Sequence, residues 1–133
     1  MLEVILAEIG NLTNLQKINI SSNKLKKIPS EISNLTNLRE INLSYNKIKK
    51  IPDEIGNLKN LKKVVLHHNE IDSIPLAITN LTDLELLDLR FNEITKKYQI
   101  QKINQPINNF FKKLKKETGF KFYYNLNAYF QPK

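Results

Sequence analysis

The sequence predicts an α/β solenoid, in which short structural units of equal length stack side by side into an arc. Three observations indicate this fold. Asparagines recur every 23 residues, prolines recur at the same step, and a frame of leucines and isoleucines follows the same period. A fixed period of this length is typical of stacked supersecondary units, because one unit cannot bury its apolar face alone. Solenoids present an extended surface, so the pattern favours binding of a macromolecule.

The boundaries of the units follow from the period. The repeats are predicted to form one region over residues 1–95, and residues 96–133 a basic C-terminal capping segment. The repeat region consists of a partial N-terminal unit and four units in one register: 1–11, 12–34, 35–57, 58–80 and 81–95 onward.

Each unit contains a short segment with the period-two pattern of a half-buried β-strand. In Ile18-Asn19-Ile20 the outer residues are apolar, and the same holds at 41–43, 64–66 and 87–89. Four such strands, stacked in parallel, are expected to line the concave face. Each proline removes a backbone donor and fixes φ, so the following segment is predicted to form an irregular or 3₁₀ convex side.

An asparagine follows each predicted strand at the point where the chain turns inward. Its side-chain amide both donates and accepts hydrogen bonds, so it can satisfy backbone groups that the turn leaves unpaired. The sequence therefore predicts a buried ladder with a structural role: Asn23, Asn46, Asn69 and Asn92.

The unit LTNLREINLSYNKIKKIPDEIGN resembles the leucine-rich repeat family, whose signature is L-x-x-L-x-x-L-x-L-x-x-N-x-L. The Ile-Pro-x-x-Ile segment, present in three units, is similar to the 23-residue subclass of intracellular Ras-group scaffold proteins. The resemblance covers roughly residues 2–95. It implies a short horseshoe with a parallel concave sheet. It also implies a non-catalytic scaffold, regulatory or signalling role, in which the concave face binds a protein partner.

The chain begins in mid-repeat, because Leu2 matches Leu25 on the period. Three interpretations stay open for this end. Residues 2–10 fold over the first strand as a cap, the strand edge pairs with something else, or the gene is a fragment of a longer repeat protein.

The C-terminal segment has the pattern of a helix followed by a strand. Pro106 fits the first turn of a helix, and Gly119 its end. Residues 120–126 then alternate as a strand. We interpret residues 96–126 mainly as a cap that seals the apolar end of the solenoid. The apolar face of the helix is predicted to consist of Ile107, Phe110, Phe111 and Leu114.

The whole net charge of +8 lies in this C-terminal segment. Residues 1–95 hold 12 basic and 12 acidic side chains, whereas residues 96–133 hold nine lysines and one glutamate. The first interpretation is a solvated face of the cap helix. The alternative is contact with an anionic membrane or with nucleic acid, although the segment lacks the arginines suited to reading guanine. The lysines concerned are Lys112, Lys113, Lys115 and Lys116.

The candidate binding surface consists of the outward side chains of the strands and of the turns that follow them. On this surface, aromatic residues and arginine, which often dominate interfaces, lie in the C-terminal half, from Tyr45 onward toward the third and fourth units. A protein partner is therefore predicted to sit toward that end, the alternative being ordinary exposed residues. The predicted contact residues are Lys17, Asn19, Glu40, Asn42, Tyr45, Lys63, Val65, His67, His68, Leu86, Asp88, Arg90 and Phe91.

Residue types that catalysis and cofactor binding require are scarce. The chain has no cysteine, and its three glycines form no phosphate loop. His67 and His68 are adjacent, so they are expected to point to opposite sides of a strand or into the turn. Asp88 and Arg90 are expected to form a weak, exposed ion pair. The sequence predicts a protein that is not an enzyme and has no cofactor, metal or small-molecule substrate.

The N-terminus has no basic region before its short apolar run, which argues against a signal peptide. No apolar stretch has the length of a membrane span. The absence of cysteine fits a reducing compartment. A cytoplasmic location is therefore expected.

Overall fold

The computed structural model describes residues 1–94 and 105–123, and the backbone of residues 129–130. Short parallel strands form the concave side of a solenoid, and 3₁₀ helices form its convex side. The strands of the repeats are β1 (Lys17–Asn19), β2 (Glu40–Asn42), β3 (Lys63–Val65) and β4 (Leu86–Asp88). The 3₁₀ helices are η1 (Ala7–Asn11), η2 (Ser30–Asn34), η3 (Asp53–Asn57) and η4 (Leu76–Asn80).

The strands pair in the register that the 23-residue period requires. Ile18 lies opposite Ile41, and the same position continues through Val64 to Leu87. All four side chains are buried. The parallel sheet and its 3₁₀ convex side confirm the leucine-rich repeat arc expected from the sequence. The strands begin one residue earlier than the apolar alternation indicates.

Proline starts the 3₁₀ helix of each complete repeat. The backbone φ is −68° at Pro29, −67° at Pro52 and −69° at Pro75, as the pyrrolidine ring dictates. The carbonyl of Pro52 accepts the N–H of Ile55 at 3.1 Å, which closes the first turn and directs the isoleucine into the core.

The core fills the space between the strands and the 3₁₀ helices and runs through all repeats. Each fully buried aliphatic side chain contributes about 1.5–3 kcal/mol, so neighbouring repeats stabilise one another. Adjacent convex segments approach closely where glycine occurs. A Cβ built on Gly56 would lie 2.8 Å from the carbonyl oxygen of Ala77.

Residues 2–11 continue the repeat and do not cover β1. Leu2 donates its N–H to the Asn23 side chain and accepts the N–H of Lys24, both at 2.8 Å, as its counterparts do in later repeats. η1 packs against η2 on the convex side. The interpretation of this segment as a cap over the first strand is therefore wrong. In the described part of the chain, β1 pairs only with β2.

A helix and two strands close the other end. The helix α1 (Gln105–Thr118) packs against η4, and β5 (Lys121–Tyr123) extends the sheet in parallel beside β4. A further strand, β6 (Tyr129–Phe130), pairs antiparallel with β5 and has no counterpart in the sequence prediction. Of the predicted cap, residues 96–104 and 124–126 lie outside the described residues. In the part that is described, no helix combines the length and the apolar character that crossing a bilayer requires.

The helix boundaries match the prediction, but its buried face is rotated. Gly119 ends α1 with a φ of 73°, a conformation that glycine adopts without a Cβ penalty. Asn108 is buried together with Ile107, Phe111 and Leu114, whereas Phe110 is only half-buried. The ring of Phe111 packs on Phe120 and Phe122.

Candidate functional site

The first concave row places one carboxylate between two lysines, which leaves it a net charge of +1. Strand register brings Lys17, Glu40, Lys63 and Leu86 into one line. The Glu40 carboxylate lies 3.8 Å from each of the two lysine Nζ atoms. These side chains are solvent-exposed to a large extent, so each ion pair contributes little stability.

The second row is polar in the first two repeats and mixed in the next two. The side-chain oxygen of Asn19 accepts hydrogen bonds from the N–H and hydroxyl of Ser21, and Asn42 does the same with Ser44. These groups therefore satisfy one another locally. Val65 continues the row as a half-buried apolar side chain.

Stacked aromatic rings form the most distinctive feature of the concave face. The Tyr45 and His68 rings stack with centroids 4.2 Å apart, and the His68 and Phe91 rings stack at the same distance. We name Tyr45, His68 and Phe91 the aromatic row. Tyr45 is 52% exposed and Phe91 39% exposed. The sequence prediction included these residues among the contact residues but did not anticipate their stacking.

The backbone explains why the rings align. Each residue of the aromatic row, and Ser22 before it, has a φ between 55° and 58°. This left-handed conformation costs an L-residue roughly 1–2 kcal/mol, and its repetition in every unit aims the side chains in one direction. Aromatic residues at the position before successive ladder asparagines are the signal that could have identified the row.

The two histidine rings face each other, so they do not point to opposite sides of a strand. His68 lies in the turn after β3, the other arrangement that was predicted. The Nδ1 atoms of His67 and His68 are 2.8 Å apart. The left-handed turn at His68 swings its ring back toward the strand, so the adjacent rings do not diverge. One Nδ1 donates the hydrogen bond and the other accepts it. Among the described residues, no group of three or more His, Cys, Asp or Glu side chains could hold a metal ion.

The Asp88–Arg90 pair is buried on its acidic side, so the prediction of a weak exposed pair is wrong. Arg90 donates from Nε at 2.9 Å and from its terminal nitrogen at 2.7 Å to the two carboxylate oxygens. Asp88 is buried because β5 lies beside it, with Tyr123 opposite in register. The guanidinium lies over the Tyr123 ring at 5.0 Å. Arg90 is thereby fixed at the edge of the concave face, and the pKa of Arg90 is raised by its hydrogen bond to Asp88.

Burial lowers the pKa of His67 below its usual value of 6.5, and the charges of His68 and Arg90 act in the same direction. The nearby Asp88 carboxylate opposes them. The lowered pKa favours the neutral His67 imidazole, which can take part in the Nδ1–Nδ1 hydrogen bond with His68.

We expect an NMR titration of the His67 ring to show a midpoint below 6.5. Because the folded pKa is depressed, the stability that neutral His67 contributes is present above pH 6.5 and is lost as the pH falls through the folded pKa. Replacing His68 with glutamine removes the electrostatic interaction that lowers the pKa of His67, so the midpoint should rise. A midpoint at or above 6.5 in the unmodified chain would contradict this account.

The asparagine ladder holds successive turns together. Asn46 accepts the N–H of Leu25 at 2.9 Å and donates to the carbonyls of Ile20 and Leu43 at 3.0 Å. Asn69 makes the equivalent bonds one repeat later. Burial differs from the expectation at the two ends, where Asn23 and Asn92 are half-buried.

The lysines of the C-terminal helix lie apart from the concave sheet. α1 continues the convex row by packing against η4, whereas β5 continues the concave strands. Three of the four lysines are exposed and Lys115 is half-buried: Lys112, Lys113, Lys115 and Lys116.

Comparison with known proteins supplies relatives of this architecture. Residues 2–106 match the family described as leucine-rich repeat region. None of the curated protein sequences matches. A leucine-rich repeat protein of Leptospira interrogans is similar in structure, with a TM-score of 0.73 and 32% identity over 84% of this chain and 27% of that one.

Two plant receptors are also similar. The peptide hormone receptor RGFR1, solved in complex with RGF2, has a TM-score of 0.64 and 38% identity over 68% of this chain and 15% of its own. The Arabidopsis receptor kinase HAESA ectodomain, solved with an IDA peptide hormone ligand, has a TM-score of 0.63 and 34% identity over 68% and 16%. This chain therefore spans less than a third of the length of each of these relatives.

Proposed function

This chain belongs to the leucine-rich repeat family, and from that premise we propose that it is a non-catalytic module that binds a protein partner through its concave face. The leucine-rich repeat fold generally serves protein–protein interaction. The similar receptors RGFR1 and HAESA were solved with peptide ligands. Here the proposed contact surface runs from Tyr45, at the turn of the second repeat, across the third and fourth repeats.

The aromatic row is the observation that carries this proposal. Tyr45 and Phe91 expose large apolar surfaces, while stacking on His68 holds their rings in place. An exposed side chain that is already ordered loses little entropy on binding, which favours its use as an anchor. Val65 and Leu86 add half-buried apolar surface to the neighbouring rows.

The charges of the concave face indicate the character of the partner. Glu40 lies between Lys17 and Lys63 and offsets one of their two charges, and Asp88 offsets the charge of Arg90. Few unpaired charges then remain to attract an oppositely charged ligand. We infer a partner segment that places apolar or aromatic side chains on the aromatic row, and binding that depends weakly on salt.

Replacing Tyr45 and Phe91 together with alanine should weaken binding by roughly 2 kcal/mol or more, as is typical of aromatic anchors. The partner would be captured from a nuclease-treated lysate at moderate salt, and its affinity then measured by calorimetry. Leu76→Ala is the matched control, because Leu76 is an exposed apolar side chain on the convex side.

Two outcomes would redirect this assignment. Equal capture by the double variant and the intact chain would exclude the aromatic row as the contact surface. Capture that survives in the double variant but disappears in a variant with Lys112, Lys113, Lys115 and Lys116 changed to glutamine would move the function to α1. An anionic membrane or nucleic acid would then be the partner to test.

A further inference from the structure

A basic groove lies on the flank of the solenoid, between the asparagine ladder and the 3₁₀ helices. Its volume is about 430 Å³, and it is lined by Lys26, Lys27, Ile28, Lys49, Lys50 and Pro52. We name its four lysines, Lys26, Lys27, Lys49 and Lys50, the lysine square. It lies on a different face from the aromatic row and is independent of it.

The repeat itself builds the square. Leu25-Lys26-Lys27-Ile28 in one unit corresponds to residues 48–51 in the next. The aliphatic residue on each side of a lysine pair is buried, so the lysines between them face solvent. The N–H of Lys47 donates to the carbonyl of Leu25 at 2.8 Å, which keeps the two segments in register. Equivalent lysines of the two repeats are therefore neighbours.

Among the described residues, no ion pair compensates the charges of the lysine square. The ion pairs in the described part of the chain join other side chains, those of Lys17, Lys63 and Arg90 with acidic partners. Four exposed ammonium groups on two adjacent repeats repel one another and raise the local positive potential. A ligand that brings negative charge to this place would relieve the repulsion.

The groove also has an apolar floor. Ile28 is buried beneath the lysines, and Pro52 is half-buried beside it. An adjoining groove of about 520 Å³ shares these two residues and adds the aliphatic side chains of Val4 and Ile5. A ligand that combines carboxylates with an aliphatic side chain would match both parts of the surface.

Acidic residues limit the basic region on both sides. Glu3 and Glu31 line the adjoining groove, and Asp72 occupies the position of Lys49 in the third repeat. A bilayer or a nucleic-acid duplex carries negative charge far beyond the square and would meet these carboxylates. A short ligand avoids them.

We propose that the lysine square is a second interaction surface, which binds a short acidic peptide segment of a protein partner. Carboxylates of the segment pair with the four lysines, and an aliphatic side chain rests on Ile28 and Pro52.

The test uses fluorescein-labelled Glu-Glu-Ile-Glu-Glu as the probe, with fluorescence anisotropy at about 150 mM salt, where the Debye length of about 8 Å suppresses long-range attraction. Changing the lysine square to glutamine should weaken binding by about tenfold or more, since each exposed pair contributes up to about 1 kcal/mol. The matched control changes Lys112, Lys113, Lys115 and Lys116 to glutamine, which removes the same charge, and should alter the affinity by less than about twofold. A probe with serine in place of isoleucine should bind several-fold more weakly, because it leaves the apolar floor uncovered.

Circular dichroism would verify that both four-glutamine variants are folded, and the Tyr45→Ala, Phe91→Ala variant should bind the probe as the intact chain does. Unchanged probe binding by that variant would show that the lysine square binds independently of the concave face. Equal weakening in the two four-glutamine variants, or no binding of the probe to the intact chain, would overturn the proposal. So would a stronger, square-dependent binding of phosphatidylserine vesicles or of a DNA duplex.

Discussion

Replacing Asn69 with alanine is expected to lower the free energy of unfolding by about 3–5 kcal/mol, the upper part of the range for single substitutions. The buried amide accepts the N–H of Ile48 and donates to the carbonyls of Leu43 and Leu66. Alanine leaves the Ile48 N–H unpaired in the interior. The two carbonyls each lose one of two amide donors, because Asn46 still donates to Leu43 and Asn92 to Leu66, and each lost bond costs about 0.5–1.5 kcal/mol. Each buried group that loses its partner costs about 1–3 kcal/mol, because water cannot replace the bond.

Urea denaturation followed by circular dichroism would measure this loss. Asn60→Ala is the control, since Asn60 is exposed and makes one hydrogen bond, to the carbonyl of Thr36. Asn23→Ala should fall between the two, because Asn23 is half-buried. Asn69→Asp should destabilise as well, since a carboxylate cannot donate to the carbonyls. A loss for Asn69→Ala no larger than that for Asn60→Ala would refute the structural role of the ladder.

Phe111→Ala is expected to cost about 3–5 kcal/mol and to act mainly on the C-terminal end. The Phe111 ring is fully buried, with centroids 5.1 Å from Phe120 and 4.6 Å from Phe122. It therefore joins α1 to β5. Its loss leaves a cavity where the cap meets the sheet and releases β5 from its support, which exposes the edge of β4.

Hydrogen exchange would locate this effect. Because a repeat contacts only its neighbours, exchange should rise strongly over residues 105–123 and less in the first repeats. Phe110→Ala is the control on the same helix, since the Phe110 ring is only half-buried. Uniform acceleration along the whole chain, or an equal loss of stability in both variants, would contradict the assignment of Phe111 as the residue that fastens the cap.

The solenoid could be predicted because asparagines, prolines and aliphatic residues recur every 23 residues along the sequence. Apolar spacing placed the strands within one residue, and proline placed η2, η3 and η4. The cap was harder. Pro106 and Gly119 gave the ends of α1, but the face it buries is set by packing on η4, which the sequence does not encode locally. Asn108 is therefore inside and Phe110 at the border.

The candidate site, too, could be predicted from the sequence only in part. Adding 23 to a residue number predicts which concave side chains share a row, since register follows the period. Two properties did not follow. The His67 and His68 rings meet because of a positive φ, and Asp88 is buried because β5 arrives from the cap. Both depend on tertiary structure that no single repeat specifies.

The hydrogen bonds of the ladder also relate each turn to a residue that is synthesised later. The Asn46 amide closes the turn at Leu25, 21 residues earlier, and Asn69 and Asn92 close the turns at Ile48 and Ile71 in the same way. Each turn is thus completed only by the repeat synthesised after it. At about 5–20 residues per second, a ribosome delivers the asparagine that seals the preceding turn every one to five seconds or so. Until that asparagine has been added, the turn of the preceding repeat lacks its side-chain acceptor.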